Sequence, residues 1–395
     1  MKLLKFAKKY WAEILVVFIF ILAFYVRIVG FHYPYLRNID SYAFYAQMKY
    51  IYEHGSLPAV NKLMLAPTGE PIGRGTVLYS YLGAYTYKLF KIFMPDLKLW
   101  RFLIYFPAFL ASLSAIPLYI AGKNIYDKKA GLFFSFLMIF NPAMMSRTLG
   151  GDPDSDCIVF LMTTIVFMAV SFMIKYKYDK KKMIYSSIFA GISLTLFALS
   201  WVGYWYLYWI IIGYFILVAI FDGIYNYSKT KEIDKSHLKK MGTSFLIMTT
   251  VMILTAVPYF GFRFINSTFK APFETLSMFS PTGGIKGEGG QFPNVYVSVA
   301  EMMSPGGAIK IIMSDPSKFI LTFVTIIYLL YAYFKEKKHL DTAAILISWL
   351  FVTFYASITA VRFMIFLAMP LALGTSIFLS KVFRLLTGED KNVIE

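Results

Sequence analysis

The sequence predicts an all-α polytopic membrane protein with about ten transmembrane helices and two long outer loops, and three observations carry that prediction. Hydrophobic residues make up 58% of the 395 and charged residues only 15%, against about 25% charged in a soluble globular domain. Stretches of roughly 16 to 22 residues contain no Asp, Glu, Lys or Arg, enough to cross the apolar core of a bilayer as helix. Lysines cluster in alternate connections between those stretches. A soluble multidomain enzyme is thereby excluded. The net charge of +17, from 39 Lys and Arg against 22 Asp and Glu, fits short basic cytoplasmic loops and calls for no nucleic-acid partner. The single cysteine, Cys157, cannot form an intramolecular disulfide.

The first apolar run, 11–30, reads as a signal anchor because no small-residue cleavage site follows it. Further spans fall at 102–121, 130–146, 157–174, 183–200, 201–221, 241–262, 319–334, 342–361 and 363–380. Residues 183–221 form one uncharged run, too long for an ordinary span, and read as a hairpin. Arg362 splits the last two segments. Residues 76–94 are also apolar, but Lys88, Lys91 and several tyrosines suit the headgroup region, so this stretch reads as an interfacial or re-entrant helix.

With Lys2, Lys5, Lys8 and Lys9 cytoplasmic, the lysines at 123–129, 175–182, 229–240 and 335–338 all fall on the same side. The outer side receives loops 31–101 and 263–318, a short loop at 147–156 and the Arg362 turn. The expectation is a multi-pass plasma-membrane protein with its active site on the outer face.

That topology brings Asp40, Asp152, Asp154, Asp156 and Glu301 to the outer face from three loops distant in sequence. Several carboxylates held together repel one another, so such a cluster persists with a cation or bound protons. Oxygen-only ligation favours Mg²⁺, Mn²⁺ or Ca²⁺ over zinc. A plainer reading stands beside this one: GGDPDSD could be a polar turn that caps the helix after it, and Asp40 could likewise be a cap. Glu301 has apolar flanks in VYVSVAEMMSPGG, where an unpaired carboxylate is expensive. The glycine-rich stretch 281–293 before it predicts a flexible loop. Arg362, at the outer boundary, could engage phosphate bidentately or snorkel to lipid headgroups. Arg147 could neutralise the acidic cluster or assist an anionic donor. Carboxylates for a metal beside arginine for phosphate suit an enzyme acting on a lipid-linked phosphate or pyrophosphate.

Four separated pieces, NIDSYAFYA, SRTLGGDPDSD, SVAE and VRFMIFLAMPLALG, resemble in order the catalytic subunit of oligosaccharyltransferase in its bacterial and archaeal single-subunit form. The resemblance implies the GT-C-type glycosyltransferase architecture and transfer of a glycan from a polyprenyl (pyro)phosphate to protein asparagine. It implies Asp40, Asp154 and Glu301 as ligands of Mn²⁺ or Mg²⁺, with Asp156 as a further ligand or behind them. Asp40 and Glu301 would also bond the acceptor amide, and Arg362 would bind donor phosphate or an acceptor side chain. The aromatic run 200–209, SWVGYWYLYW, is similar to the region that accommodates the polyprenyl chain and donor head, which points to Tyr204 as a substrate contact. An interfacial aromatic belt is the plainer reading of that run.

The family's soluble outer domain carries WWDYG, a motif absent from this sequence. The expectation is therefore one transmembrane catalytic domain over 1–395 without a C-terminal soluble domain, with a second chain as a candidate supplier of acceptor binding. Two rival readings remain: a transferase using a polyprenyl-phosphate sugar with another acceptor, and a non-catalytic binder of lipid-linked glycan.

Overall fold

The computed structural model describes residues 2–62, 67–71, 77–231, 235–278 and 305–389. Its helices are α1 (Lys2–Val29), α2 (Ile39–His54), α3 (Leu78–Phe93), α4 (Leu99–Leu113), α5 (Ala115–Ile125), α6 (Lys128–Ile139), α7 (Pro142–Met145) and α8 (Asp156–Lys175). They continue as α9 (Lys180–Ala198), α10 (Trp205–Thr230), α11 (Lys235–Phe260), α12 (Arg263–Met278), α13 (Ala308–Ser314), α14 (Pro316–Glu336), α15 (Leu340–Thr359) and α16 (Met364–Leu386). Among the described residues the strands are β1 (Val60–Asn61) and β2 (Glu70–Pro71), a two-residue antiparallel pair within the first long loop.

Among the described residues, eight helical stretches are long and apolar enough to cross a membrane: Lys8–Val29, Leu99–Ile125, Asp156–Lys175, Val202–Lys229, Leu238–Phe260, Pro316–Glu336, Leu340–Thr359 and Val361–Leu386. The protein is a multi-pass membrane protein. These eight coincide with eight of the ten expected spans, and the other two are helical with different character. The helix expected over 130–146 is broken: α6 has 12 residues, about 18 Å at helical rise and short of a bilayer core of about 30 Å. It stops because Asn141 is extended (φ −63°, ψ 126°), as a residue before proline prefers, and the Asn141 side chain then accepts from Ala143 N to start α7. In α9, Lys180–Lys182 and three serines dilute the apolar content.

Residues 183–221 do turn, through an extended Trp201 and a 3₁₀ turn at Val202–Tyr204, but the two helices then part rather than pair as a hairpin. α9 packs against α8 and α11, while α10 packs against α15. Small and polar groups set those choices. A Cβ on Gly191 would meet the Met248 carbonyl at 2.6 Å, and the Ser187 and Ser244 hydroxyls meet at 2.7 Å. Ser348 Oγ donates to the Ile210 carbonyl at 2.7 Å and ties α15 to α10.

The centre of the bundle is α8, buried on nearly every side. Segment 76–94 is α3, 16 residues long, which buries Tyr79, Ser80, Gly83, Ala84 and Tyr87 on one face and packs against α2. That spacing is one helical stripe, and Lys88 points away from it.

The lysine-bearing connections lie together at one end. Lys123 pairs with Glu13 at 2.8 Å, Lys175 donates to Asn124 at 2.9 Å, Lys177 pairs with Asp341 at 2.5 Å and Lys337 donates to Asn226 at 3.1 Å. The short loop with GGDPDSD, the start of α2 and the Arg362 turn meet at the other end.

Candidate functional site

The loop between α7 and α8 is anchored before it presents its carboxylates. Gly150 N donates to the Arg27 carbonyl at 2.9 Å, Gly151 N to the Ile104 carbonyl at 2.9 Å, and Arg37 N to the Gly151 carbonyl at 2.8 Å. Gly151 has φ +76°, and a Cβ there would strike the Phe31 ring, so only glycine suits the turn. The acidic residues that follow are thus fixed against α1 and α4.

Asp152 accepts from Ser41 Oγ at 3.2 Å, which ties the loop to the first turn of α2. Asp40 sits beside Ser41, exposed, in that first turn. It is not the helix cap, since that position belongs to Asn38. Its charge faces the positive end of the helix dipole. Nor does the D-x-D pair cap α8: the cap position is Ser155, which makes no side-chain capping bond. Asp154 instead accepts from the backbone and hydroxyl of Ser155.

Burial raises the Asp152 carboxyl above its usual range, opposed by the Ser41 bond and the Arg37 charge. Burial, with the neighbouring Asp156 charge, pushes Asp154 up to about 6. Both carboxylates sit where a negative charge is unfavourable in the free protein.

Asp156 has two arginines. Arg147 Nη1 donates to its Oδ2 at 3.2 Å, and Arg362 Nη2, from the 3₁₀ turn Val361–Phe363, lies 3.9 Å from its Oδ1. All three line a narrow cleft of about 20 Å³, together with Thr163, Trp201 and Phe366. Trp201 and Phe366 also line an adjoining apolar groove of about 380 Å³, shared with Trp205, Trp209, Phe351 and Phe363. The arrangement joins a cationic pocket to an aromatic trough. Such an arrangement sets two guanidiniums, partners for an anionic group, beside an apolar groove with room for a tail.

Tyr204 lies apart from both linings. Its hydroxyl meets Thr268 Oγ1 at 2.5 Å and its ring stacks on Phe264 with centroids 5.1 Å apart, so it docks α12. Its neighbours Trp201, Trp205, Tyr206 and Trp209 line the trough instead. Glu301, its SVAE motif and the stretch 281–293 lie outside the described residues. Sequence reasoning also passed over Ser41 and Arg27, which hold the loop. Arg27 could have been noticed as a charge inside an apolar span.

Among the described residues, no group of three or more His, Cys, Asp or Glu converges closely enough to hold a metal ion. The donor chemistry nonetheless suits a hard cation: Asp152 and Asp154 offer only oxygen, and a cation would relieve the penalty that raises Asp154.

Residues 10–388 match the family model described as oligosaccharyl transferase STT3, N-terminal. A dolichyl-phosphooligosaccharide-protein glycotransferase of Methanococcus voltae is 25% identical over 349 residues, covering 79% of this chain and 36% of that protein. The corresponding glycotransferase 1 of Pyrococcus horikoshii is 27% identical over 231 residues, 58% of this chain and 22% of its own length. The chain thus spans about a third or less of these relatives. Among solved structures, the archaeal oligosaccharyltransferase AglB of Archaeoglobus fulgidus, in complex with an inhibitory peptide and a dolichol-phosphate, matches with a TM-score of 0.67 at 15% identity over 98% of this chain and 52% of that one. The Archaeoglobus fulgidus oligosaccharyltransferase complex with Zn and sulfate matches with a TM-score of 0.62 at 16% identity, over 94% of this chain and 49% of that one.

Proposed function

This chain belongs to the oligosaccharyl transferase STT3 family, matching its N-terminal part over residues 10–388, and from that premise we propose that it transfers a glycan from a polyprenyl (pyro)phosphate to a protein asparagine. Its fold is the GT-C-type glycosyltransferase architecture. The observation that carries the reading is the cleft itself: Arg147 and Arg362 converge on Asp156 at the mouth of an aromatic trough, a binding surface for a phosphate head and a polyprenyl tail at once.

In this reading Arg147 and Arg362 hold the donor phosphates and Asp156 sets the two guanidiniums at the right separation. Trp201 and Phe366, common to cleft and trough, mark where head passes into tail. Asp40, Asp154 and Glu301 hold Mn²⁺ or Mg²⁺, with Asp156 the arginine-linked member of the set. Bound there, the metal supplies a Lewis acid for the charge on the leaving phosphate. Asp40 and Glu301 accept hydrogen bonds from the acceptor amide, whose conjugated nitrogen lone pair makes it a poor nucleophile; twisting the C–N bond out of plane is one route to attack. The remainder of the acceptor is held by a domain beyond the family's membrane part or by a second chain. The active site faces outward across the plasma membrane, with the lysine end cytoplasmic.

The test is incubation of the purified protein with lipid-linked oligosaccharide, Mn²⁺ and a fluorescent Asn-X-Thr peptide, following glycopeptide and free glycan. Metal-dependent glycopeptide, lost in Asp154→Ala and Glu301→Ala, is the expected result. Glycan release without glycopeptide would place acceptor binding on another chain. Absence of both products would contradict a transferase reading.

A further inference from the structure

Arg27 is the odd charge in the bundle. It lies within the Lys8–Val29 span, 1% exposed, and among the described residues no carboxylate lies within ion-pair reach of it. A buried guanidinium without a counter-ion costs several kcal/mol unless neutral acceptors take its protons, and an alkyl side chain would fill the space at no such cost. Its three side-chain hydrogen bonds show what it does instead. Nη1 donates to the Ala23 carbonyl of its own helix at 3.2 Å. Nη2 donates to the Ile139 carbonyl, the last residue of α6, at 2.8 Å. Nε donates to Thr148 Oγ1 at 3.1 Å, and Thr148 Oγ1 in turn donates to the Met144 carbonyl of α7 at 2.7 Å. The Arg27 carbonyl receives Gly150 N at 2.9 Å.

One residue therefore grips the loop where it leaves α6, at Thr148 and at Gly150. Arg147 adjoins one grip, and Asp152, Asp154 and Asp156 follow the last by a few residues. We propose that Arg27 is a positioning residue that clamps the 139–150 loop and thereby sets the separation of Arg147 from Asp156 across the phosphate-binding cleft. The claim rests on the reading of that cleft as a lipid-phosphate site. It assigns to a side chain remote from substrate the geometry of the groups that touch it, through the guanidinium bonds to Ile139 and Thr148, which would tolerate neither lysine, which lacks the planar fork, nor an alkyl chain; the Gly150 bond uses the backbone carbonyl and reports on the clamp.

The test uses Thr148→Val, which removes one grip at nearly constant volume, beside Arg27→Lys and Arg27→Met, with melting temperature recorded for each. Hydrogen exchange at Gly150 and Gly151 in the ligand-free protein reads the clamp directly, and affinity for polyprenyl phosphate reads its consequence. The expected result is faster exchange at those two amides and about tenfold weaker binding in Thr148→Val, with melting unchanged within a few degrees. The donor KM should rise while the peptide KM stays. Protected amides and wild-type affinity in folded Thr148→Val and Arg27→Lys would overturn the proposal. So would a lowered melting temperature with unchanged affinity, the signature of a purely structural residue. A wild type that bound no polyprenyl phosphate would instead sink the reading of the cleft, while exchange would still decide whether the clamp exists.

Discussion

The two ends of the bundle treat charge in opposite ways. At the lysine end, the carboxylates have single lysine partners: Glu13 with Lys123, Asp341 with Lys177 and Glu389 with Lys129 at 2.6 Å. Asp341 also accepts from Tyr214 at 2.7 Å. At the other end, three aspartates share five residues of chain, one is lifted to about 6 by burial and its neighbour's charge, and two arginines crowd one carboxylate. Matched charges serve the fold. Crowded ones store interaction free energy that a ligand can release, which is why shifted groups concentrate at functional sites.

The contrast can be broken by substitution, beginning with the largest effect. Asp154→Ala should lower transfer by three orders of magnitude or more while leaving melting within a few degrees, as a discontinuous glycopeptide assay with a melting curve would check. Retained activity would reduce the D-x-D loop to a structural turn. Next, Arg362→Ala should weaken donor binding by about ten- to a hundredfold with little change in the peptide KM, and Arg362→Lys should restore little of it. At the opposite end, Lys177→Met leaves Asp341, 15% exposed, with no lysine partner, and should cost roughly 2–3 kcal/mol of stability with donor and peptide KM unchanged. A change in KM there would erase the distinction between the ends.

The smallest effect is one of pH. The Asp154 carboxyl titrates near 6 in the folded protein against 3.8 for an unperturbed one. Between those values the folded state holds the extra proton, so stability falls as pH rises through that window and stays lower above it. In metal-free protein, Asp154→Asn should therefore raise stability at pH 8 by an amount on the order of 1–2 kcal/mol, seen as a higher melting temperature, and leave it unchanged at pH 4. Binding of Mn²⁺ to the wild type should strengthen with rising pH across the same range, because proton and metal compete for one carboxylate. Isothermal titration at pH 5 and pH 7.5 checks the sign.

Much of this was legible in the residues because a bilayer leaves the chain few choices. Uncharged runs must be helix, and lysine clusters reveal which connections share a side. The acidic loop and Arg362 were found the same way, as charges in places where charge is costly. What periodicity could not supply is which helix packs on which. In α8 nearly every position is buried, so no stripe distinguishes its neighbours, and the parting of α9 from α10 rests on Gly191 and Ser348 meeting particular backbones. The break at Asn141–Pro142 was visible in principle, yet an apolar count outweighs one proline. The aromatic run 200–209 signalled a ligand surface without showing which rings face it. Tyr204 turns inward to Thr268 because the 3₁₀ turn rotates it away from Trp201 and Tyr206. Arg27 looked like the end of a span. Its role exists only through Thr148 and Ile139, more than a hundred residues away.

The most direct test of the account is equilibrium binding of polyprenyl phosphate and of the matching polyprenol to the protein in nanodiscs, with wild type, Arg147→Ala and Arg362→Ala in parallel. A cationic cleft joined to an aromatic trough predicts that wild type prefers the phosphate by tenfold or more and that either arginine variant loses the preference while still binding polyprenol. Equal affinity for phosphate and alcohol, or a preference that survives both substitutions, would contradict it.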